Sequence, residues 1–173
     1  MTAFRITRAV TLPADEVWAR VTDWSAHAAQ VPLTAVSVVT PPPTGVGTVF
    51  VARSGISRFG VRVGFDDPME VVHWEPPEAG GRDSGRGGDG RCRLEKRGRV
   101  ITGWAEIEVC PRGSGAVVVW AEELRISVLP RLFDRLVRRV ARRVFGRALD
   151  GLLTGRGVPG SPAEHSGDSD NIA

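Results

Sequence analysis

Two side chains in this sequence have the chemistry to exchange a proton in an apolar setting, Glu122 and His73. Glu122 belongs to the apolar run from Ala116 to Ser127, which follows the turn residues Pro111-Arg-Gly-Ser-Gly115. If that hairpin centres on Gly113-Ser114, Val109 lies opposite Val118, Ile107 opposite Trp120, Ala105 opposite Glu122, and Gly103 opposite Leu124. The apolar residues then share one face, as a correct register requires. Centring the preceding turn near Gly98 adds Leu94 beside Gly103 and Cys92 beside Ala105. Glu122 thus faces inward among small neighbours, which leaves room for a pocket with one polar anchor. Desolvation there raises a carboxyl pKa and suits it to general acid or base work. The alternative places Glu122 near the sheet end, solvated or paired with an arginine such as Arg8.

The face of His73 depends on the loop at Asp66-Asp67-Pro68. A three-residue loop turns His73 inward opposite Val61, and a two-residue loop puts Trp74 there instead; both remain open. The other histidines fall outside this role, His27 in a helical elbow and His165 in a polar tail. Around Glu122 the candidate ligand contacts are Trp120, Ile107, Ala105, Cys92 and Leu124, with Trp24 at the mouth. Arg8 joins them because it falls on the apolar face of the first strand, either at its end or inside a cavity. Cys92 and Cys110 do not oppose each other in this register, so no disulfide is expected. The sequence has no CxxC, HxxxH or HExxH spacing, no Gly-rich phosphate loop, no Gly-x-Ser-x-Gly and no tyrosine. No metal and no cofactor are therefore expected. What remains is binding, or mild acid–base chemistry in which a cavity orients a reactive substrate.

These side chains need a scaffold, and its pieces can be read in order. Phe4, Ile6, Val10 and Leu12 alternate with polar or small residues and give a first strand. Pro13 opens a short helix with Asp15 and Glu16 in its first turn and Val17, Trp18 and Val21 along one face. Asp23-Trp24-Ser25 breaks it, and Ser25 caps a second short helix running to Pro32. Strand-like runs follow at Leu33–Val39, Gly47–Ser54, Phe59–Phe65 and Met69–Glu75, the last two separated by the Asp66-Asp67-Pro68 turn. Residues 78–90 shift abruptly to Gly, Arg, Asp and Ser, the composition of a mobile loop. Arg91–Lys96, Val100–Cys110 and Ala116–Ser127 complete the strands, and a polar tail from residue 154 is expected to be disordered.

Between them, Pro130 to Leu153 reads as one long helix. Its apolar residues come in pairs every four positions, from Leu132/Phe133 to Leu152/Leu153. Such a stripe drifts by about 40° per step on a helix of 3.6 residues per turn. Its two ends cannot face one flat sheet, so either the sheet curves or the C-terminal end packs elsewhere, a second subunit of a homodimer being one such place. Seven arginines on this helix stand against Asp134 and Asp150. A solvated polar face accounts for them, and no nucleic-acid module accompanies the charge.

The 173 residues, 42% of them apolar, suffice for one domain spanning 1–153 with a core of its own. The net charge is +3, and 22 of the 23 basic residues are arginine. No signal-peptide-like run and no stretch of about 18 to 20 apolar residues is present. The expected setting is cytoplasmic, with free thiols and no stable membrane insertion.

The order of elements resembles the START-like superfamily of Bet v 1-type helix-grip proteins (SRPBCC), which includes the polyketide cyclase/dehydrase and lipid-transport families. The residues that carry the resemblance are Pro13-Ala-Asp-Glu-Val-Trp18 with Asp23-Trp24, Gly45-Val-Gly-Thr-Val-Phe50, Val72-His-Trp-Glu-Pro-Pro77, and Gly103-Trp-Ala-Glu-Ile-Glu108 leading to Val117-Val-Val-Trp120. It implies an α+β helix-grip fold, a curved seven-stranded antiparallel sheet wrapped around a long C-terminal helix, with two short helices after strand 1. It also implies a hydrophobic cavity between sheet and helix, used for lipids, polyketides, hormones or aromatic small molecules. Enzymes and carriers both occur on this fold, so two classes stay open. One is a polyketide cyclase/dehydratase-like protein using Glu122 or His73. The other is a non-catalytic carrier or sensor of a small hydrophobic molecule. A third reading is an interaction protein with a filled cavity whose Arg-rich helix docks an acidic partner.

Overall fold

The computed structural model describes residues 2–31, 34–58, 61–78 and 88–155, with backbone alone at 56–58 and 61–63. The elements run β1 (Thr2–Val10), α1 (Ala14–Val21), α2 (Trp24–Ala28), β2 (Thr34–Val38), β3 (Val49–Arg58), β4 (Val61–Glu75), β5 (Gly90–Arg97), β6 (Ile101–Arg112) and β7 (Gly115–Ile126). A single 3-10 turn, Arg131–Phe133, leads into α3 (Asp134–Thr154). The seven strands form one antiparallel sheet in the order β1-β7-β6-β5-β4-β3-β2, so α1 and α2 bridge its two edges. This is the helix-grip arrangement implied by the order of elements. The mobile-loop and disordered-tail expectations fall almost wholly on 79–87 and 156–173, outside the described residues.

Period-two alternation decides which side chains meet the core. Phe4 and Ile6 on β1, Val118 and Trp120 on β7, Ala105 and Ile107 on β6, and Cys92 and Leu94 on β5 are all buried. The opposite face is charged. Arg91 pairs with Glu106 at 2.8 Å, Arg5 with Glu108 at 3.2 Å, and Arg93 lies 4.3 Å over the ring of Trp104, which therefore faces outward. Exposed pairs of this kind stabilise little individually, and here they mark the solvent side of the sheet.

Three local expectations are corrected. Asp66-Asp67-Pro68 is not a turn: β4 runs through it unbroken. Asp66 points outward to Arg53 at 2.7 Å, and Asp67 points inward to Lys96 at 3.1 Å. Ion pairs to neighbouring strands thus hold extended three residues that favour a turn in isolation. Second, the β5–β6 register differs by two residues from the one drawn with the turn near Gly98. Leu94 is opposite Ala105, Cys92 opposite Ile107, and Lys96 opposite Gly103. The β6–β7 register is as expected, with Ala105 opposite Glu122 and Ile107 opposite Trp120. Third, the N-cap of α2 is Asp23, whose side chain accepts from the Ala26 N–H, and Ser25 only donates to that carboxylate.

α3 is held asymmetrically. Its C-terminal half buries Ala148, Leu149, Leu152 and Leu153 against β1 and α1, and Gly155 closes it with φ +66°. Arg8 from β1 donates to Asp150 at 2.6 Å and 3.2 Å, and Arg20 from α1 donates to the Leu153 carbonyl at 2.8 Å. The N-terminal half instead leaves Leu136 and Val140 exposed, as the 3-10 turn before it leaves Leu132. The end that leaves the sheet is therefore the first, and not the C-terminal end that is one of the two alternatives for the winding stripe.

Candidate ligand pocket

The lifted N-terminal half of α3 and the concave face of the sheet enclose a pocket of about 580 Å³. Its wall is almost entirely apolar. Leu136, Val140 and Leu129 lie at its exposed margin, and all three are accessible to solvent. One side is an aromatic series: Phe50 stacks on Trp24 with centroids 4.7 Å apart, Trp24 meets His27, His27 meets Trp120, and Trp120 meets Phe145 at 5.6 Å.

Set into this apolar wall is a cluster of three buried charged residues, Asp67 on β4, Lys96 on β5 and Glu122 on β7. The Lys96 ammonium donates to Asp67 Oδ2 at 3.1 Å and lies 3.3 Å from Glu122 Oε1. Lys96 must cross β6 to reach β7, and the residues it crosses are small. Gly103 is its partner on β6, and Ala105 is the partner of Glu122. Gly103 has φ +134°, and a Cβ there would lie 2.0 Å from the Glu123 carbonyl oxygen, so only glycine fits. The other Glu122 oxygen accepts from the Trp120 indole N–H at 3.1 Å. Two buried polar atoms of pocket-lining residues keep no hydrogen-bond partner, Trp24 Nε1 and Asp67 Oδ1, and Glu122 Oε1 has only its ion-pair contact with Lys96.

Burial pushes the carboxyls of Glu122 and Asp67 above their ordinary range, against the pull of the Lys96 ammonium. Burial alone would lower Lys96, but the charges of Glu122 and Asp67 outweigh it and hold the ammonium above its ordinary value. Lys96 is thus a fixed cation rather than a nucleophilic amine. Buried charges persist only when paired in this way.

The expected site residues divide accordingly. Glu122, Trp120, Ala105, Leu124 and Trp24 line the pocket together. Ile107 and Cys92 are fully buried one register step away and do not line it, and burial pushes the Cys92 thiol up to about 12. Arg8 lies on the helix side of β1 in its ion pair with Asp150, so Glu122 pairs with Lys96 instead. His73 is on the outer face beside Glu75 at 3.3 Å, with 47% of its side chain exposed. A β-bulge between Val71 and His73 switches the inward parity of β4, so Trp74 turns in and packs edge-on against Trp18.

Asp67, Lys96 and His27 were not among the expected site residues. The elbow carries His27 to the pocket wall, where burial lowers its pKa and its Nε2–H donates to the Val21 carbonyl at 2.9 Å. A signal for Lys96 did exist. It is the only lysine in a chain with 22 arginines, and it shares strand parity with Cys92 and Leu94.

A concave antiparallel sheet closed by a C-terminal helix over an apolar pocket defines the Bet v 1-like class of helix-grip proteins. Within that class the chain belongs to the family described as polyketide cyclase / dehydrase and lipid transport, whose pattern matches residues 1–154. Among solved structures it is similar to protein CV1439 from Chromobacterium violaceum, with a TM-score of 0.60 and 14% identity over 92% of this chain and 100% of that one. It is similar also to the Zhui aromatase/cyclase from Streptomyces sp. R1128, with a TM-score of 0.52 and 16% identity over 88% and 92% of the two chains. A third similar structure is Ara h 8.0201, with a TM-score of 0.55 and 11% identity over 88% and 96%. No curated protein matches the chain. Identities this low speak to the fold. Among the described residues no helix is long and apolar enough to cross a membrane.

Proposed function

We propose that the protein binds a small hydrophobic molecule, a polyketide, lipid or aromatic metabolite, between the sheet and α3. The observation that carries this reading is the apolar pocket of about 580 Å³ with a buried, incompletely hydrogen-bonded Glu122 in its wall. Ligand sites combine these two features, an apolar surface for affinity and a few polar groups for orientation. An interior filled by its own side chains fits that volume poorly.

The raised pKa of Glu122 favours a second step on the same ligand, proton transfer in a cyclase/dehydratase-type reaction. The family and the aromatase/cyclase likeness support the same direction. Native mass spectrometry of the purified protein, before and after mild denaturing extraction, tests the binding step. A bound apolar species of defined mass is the expected result. An empty protein that also leaves its tryptophan emission unchanged with a panel of lipids and aromatic polyketides overturns it. For the chemical step, Glu122→Gln is expected to abolish turnover while retaining binding. Turnover that survives in Glu122→Gln removes Glu122 from the chemistry, and binding without turnover in the native protein makes it a carrier.

A further inference from the structure

The buried charged cluster limits what the ligand's polar end can be. Asp67 and Glu122 are 6% and 1% exposed; Asp67 Oδ1 has no hydrogen-bond donor, and Glu122 Oε1 has only the shared Lys96 ammonium at 3.3 Å. Among the described residues the only cation beside them, Lys96, is already shared between both carboxylates, at 3.1 Å and 3.3 Å. A ligand carboxylate or phosphate placed here brings a third anionic group against two acceptors, with no unshared cation to receive it. A hydroxyl or phenol supplies what is missing, an O–H that donates to a buried oxygen at no cost in charge.

From this geometry we infer that the pocket selects uncharged, oxygen-bearing apolar molecules, with a hydroxyl or phenol directed at Glu122 and Asp67. Fatty-acid-like anions are rejected even though they are apolar enough to enter. The selection is electrostatic: acceptors without donors reward an O–H and penalise an anion. The inference rests on the binding function proposed above, and it goes further by fixing the charge and polarity of the ligand's inner end.

A matched set tests it by titration of tryptophan emission at pH 7.5: 2-hydroxyanthracene, anthracene-2-carboxylate and unsubstituted anthracene. The ring system is constant, so differences report the polar end. The phenol is expected to bind at least about tenfold more tightly than the carboxylate, and more tightly than anthracene. In a protein carrying both Asp67→Asn and Glu122→Gln, Lys96 is left without its anions, and the order of phenol and carboxylate is expected to reverse. Should that double variant not fold, Glu122→Gln alone is expected to narrow the phenol-to-carboxylate ratio. A carboxylate that binds the native protein as well as the phenol overturns the selection while leaving the pocket a binding site. Failure of all three compounds, together with an empty protein in native mass spectrometry, removes the binding function and the selection with it.

Discussion

Lys96 holds together two buried carboxylates that no other cation reaches among the described residues, and its loss is the most informative single change. Lys96→Met leaves Asp67 and Glu122 buried without a counter-charge, which costs about 3 to 5 kcal/mol. Chemical denaturation at neutral pH measures this, and the loss is expected to shrink at pH 5 as the carboxyls take up protons. The native protein has a pH signature of its own. Burial raises Glu122 and Asp67, so the folded chain binds more protons than the unfolded one from the ordinary carboxyl value of about 4 up to the raised value. Across that window stability falls as pH rises. Glu122→Gln removes one of the two groups and is expected to flatten the slope. An unchanged slope would show that Glu122 does not hold the proton. At this scale the sequence was partly legible. The hairpin turn at Gly113-Ser114 placed Glu122 opposite Ala105 correctly. The next turn was misplaced by one residue, a register slip of two, and a slip of two keeps every side chain on its face. Hydrophobic pattern cannot detect such a slip, and only the observed register sets Lys96 beside Gly103 and within reach of Glu122.

Among the elements, α3 divides into a half that stabilises and a half that admits. Leu149 is fully buried, and Leu149→Ala is expected to cost about 2 to 5 kcal/mol in a thermal or denaturant melt. Leu136 is 57% exposed at the pocket margin, and Leu136→Ser is expected to change stability by no more than about 0.5 kcal/mol while weakening ligand affinity. A large stability loss in Leu136→Ser would mean that the first half of α3 is packed after all. The sequence announced the winding of this stripe but not which end would be left uncovered. That outcome was set by α1 and the Arg8–Asp150 and Arg20–Leu153 contacts, which fasten the C-terminal half. β4 carries a similar lesson. Its Asp66-Asp67-Pro68 segment reads as a turn locally, and cross-strand partners that lie 13 and 29 residues away make it a strand. The bulge at Val71–His73 then fixes Trp74 inward and His73 outward, a choice that hinged on a turn which does not exist.

For the whole molecule, the fold was legible because every level of the sequence agreed on it: alternation in the strands, a helical stripe at the end, and turn residues between. The cluster was harder to see because its members lie on three strands and meet only through tertiary structure. Its cation has one more property, since the chain contains a single lysine and that lysine is 8% exposed. The protein therefore carries its only ε-amine as a built-in reporter of opening. An acylating reagent reaches Lys96 through the pocket or when the sheet and α3 part, so the rate of the mass shift at that residue measures how often the buried amine is uncovered. Labelling is expected to be slow in the native protein, immediate in denaturant, and slower still once a pocket ligand is bound. Rapid native labelling would mean that the amine is reached without unfolding.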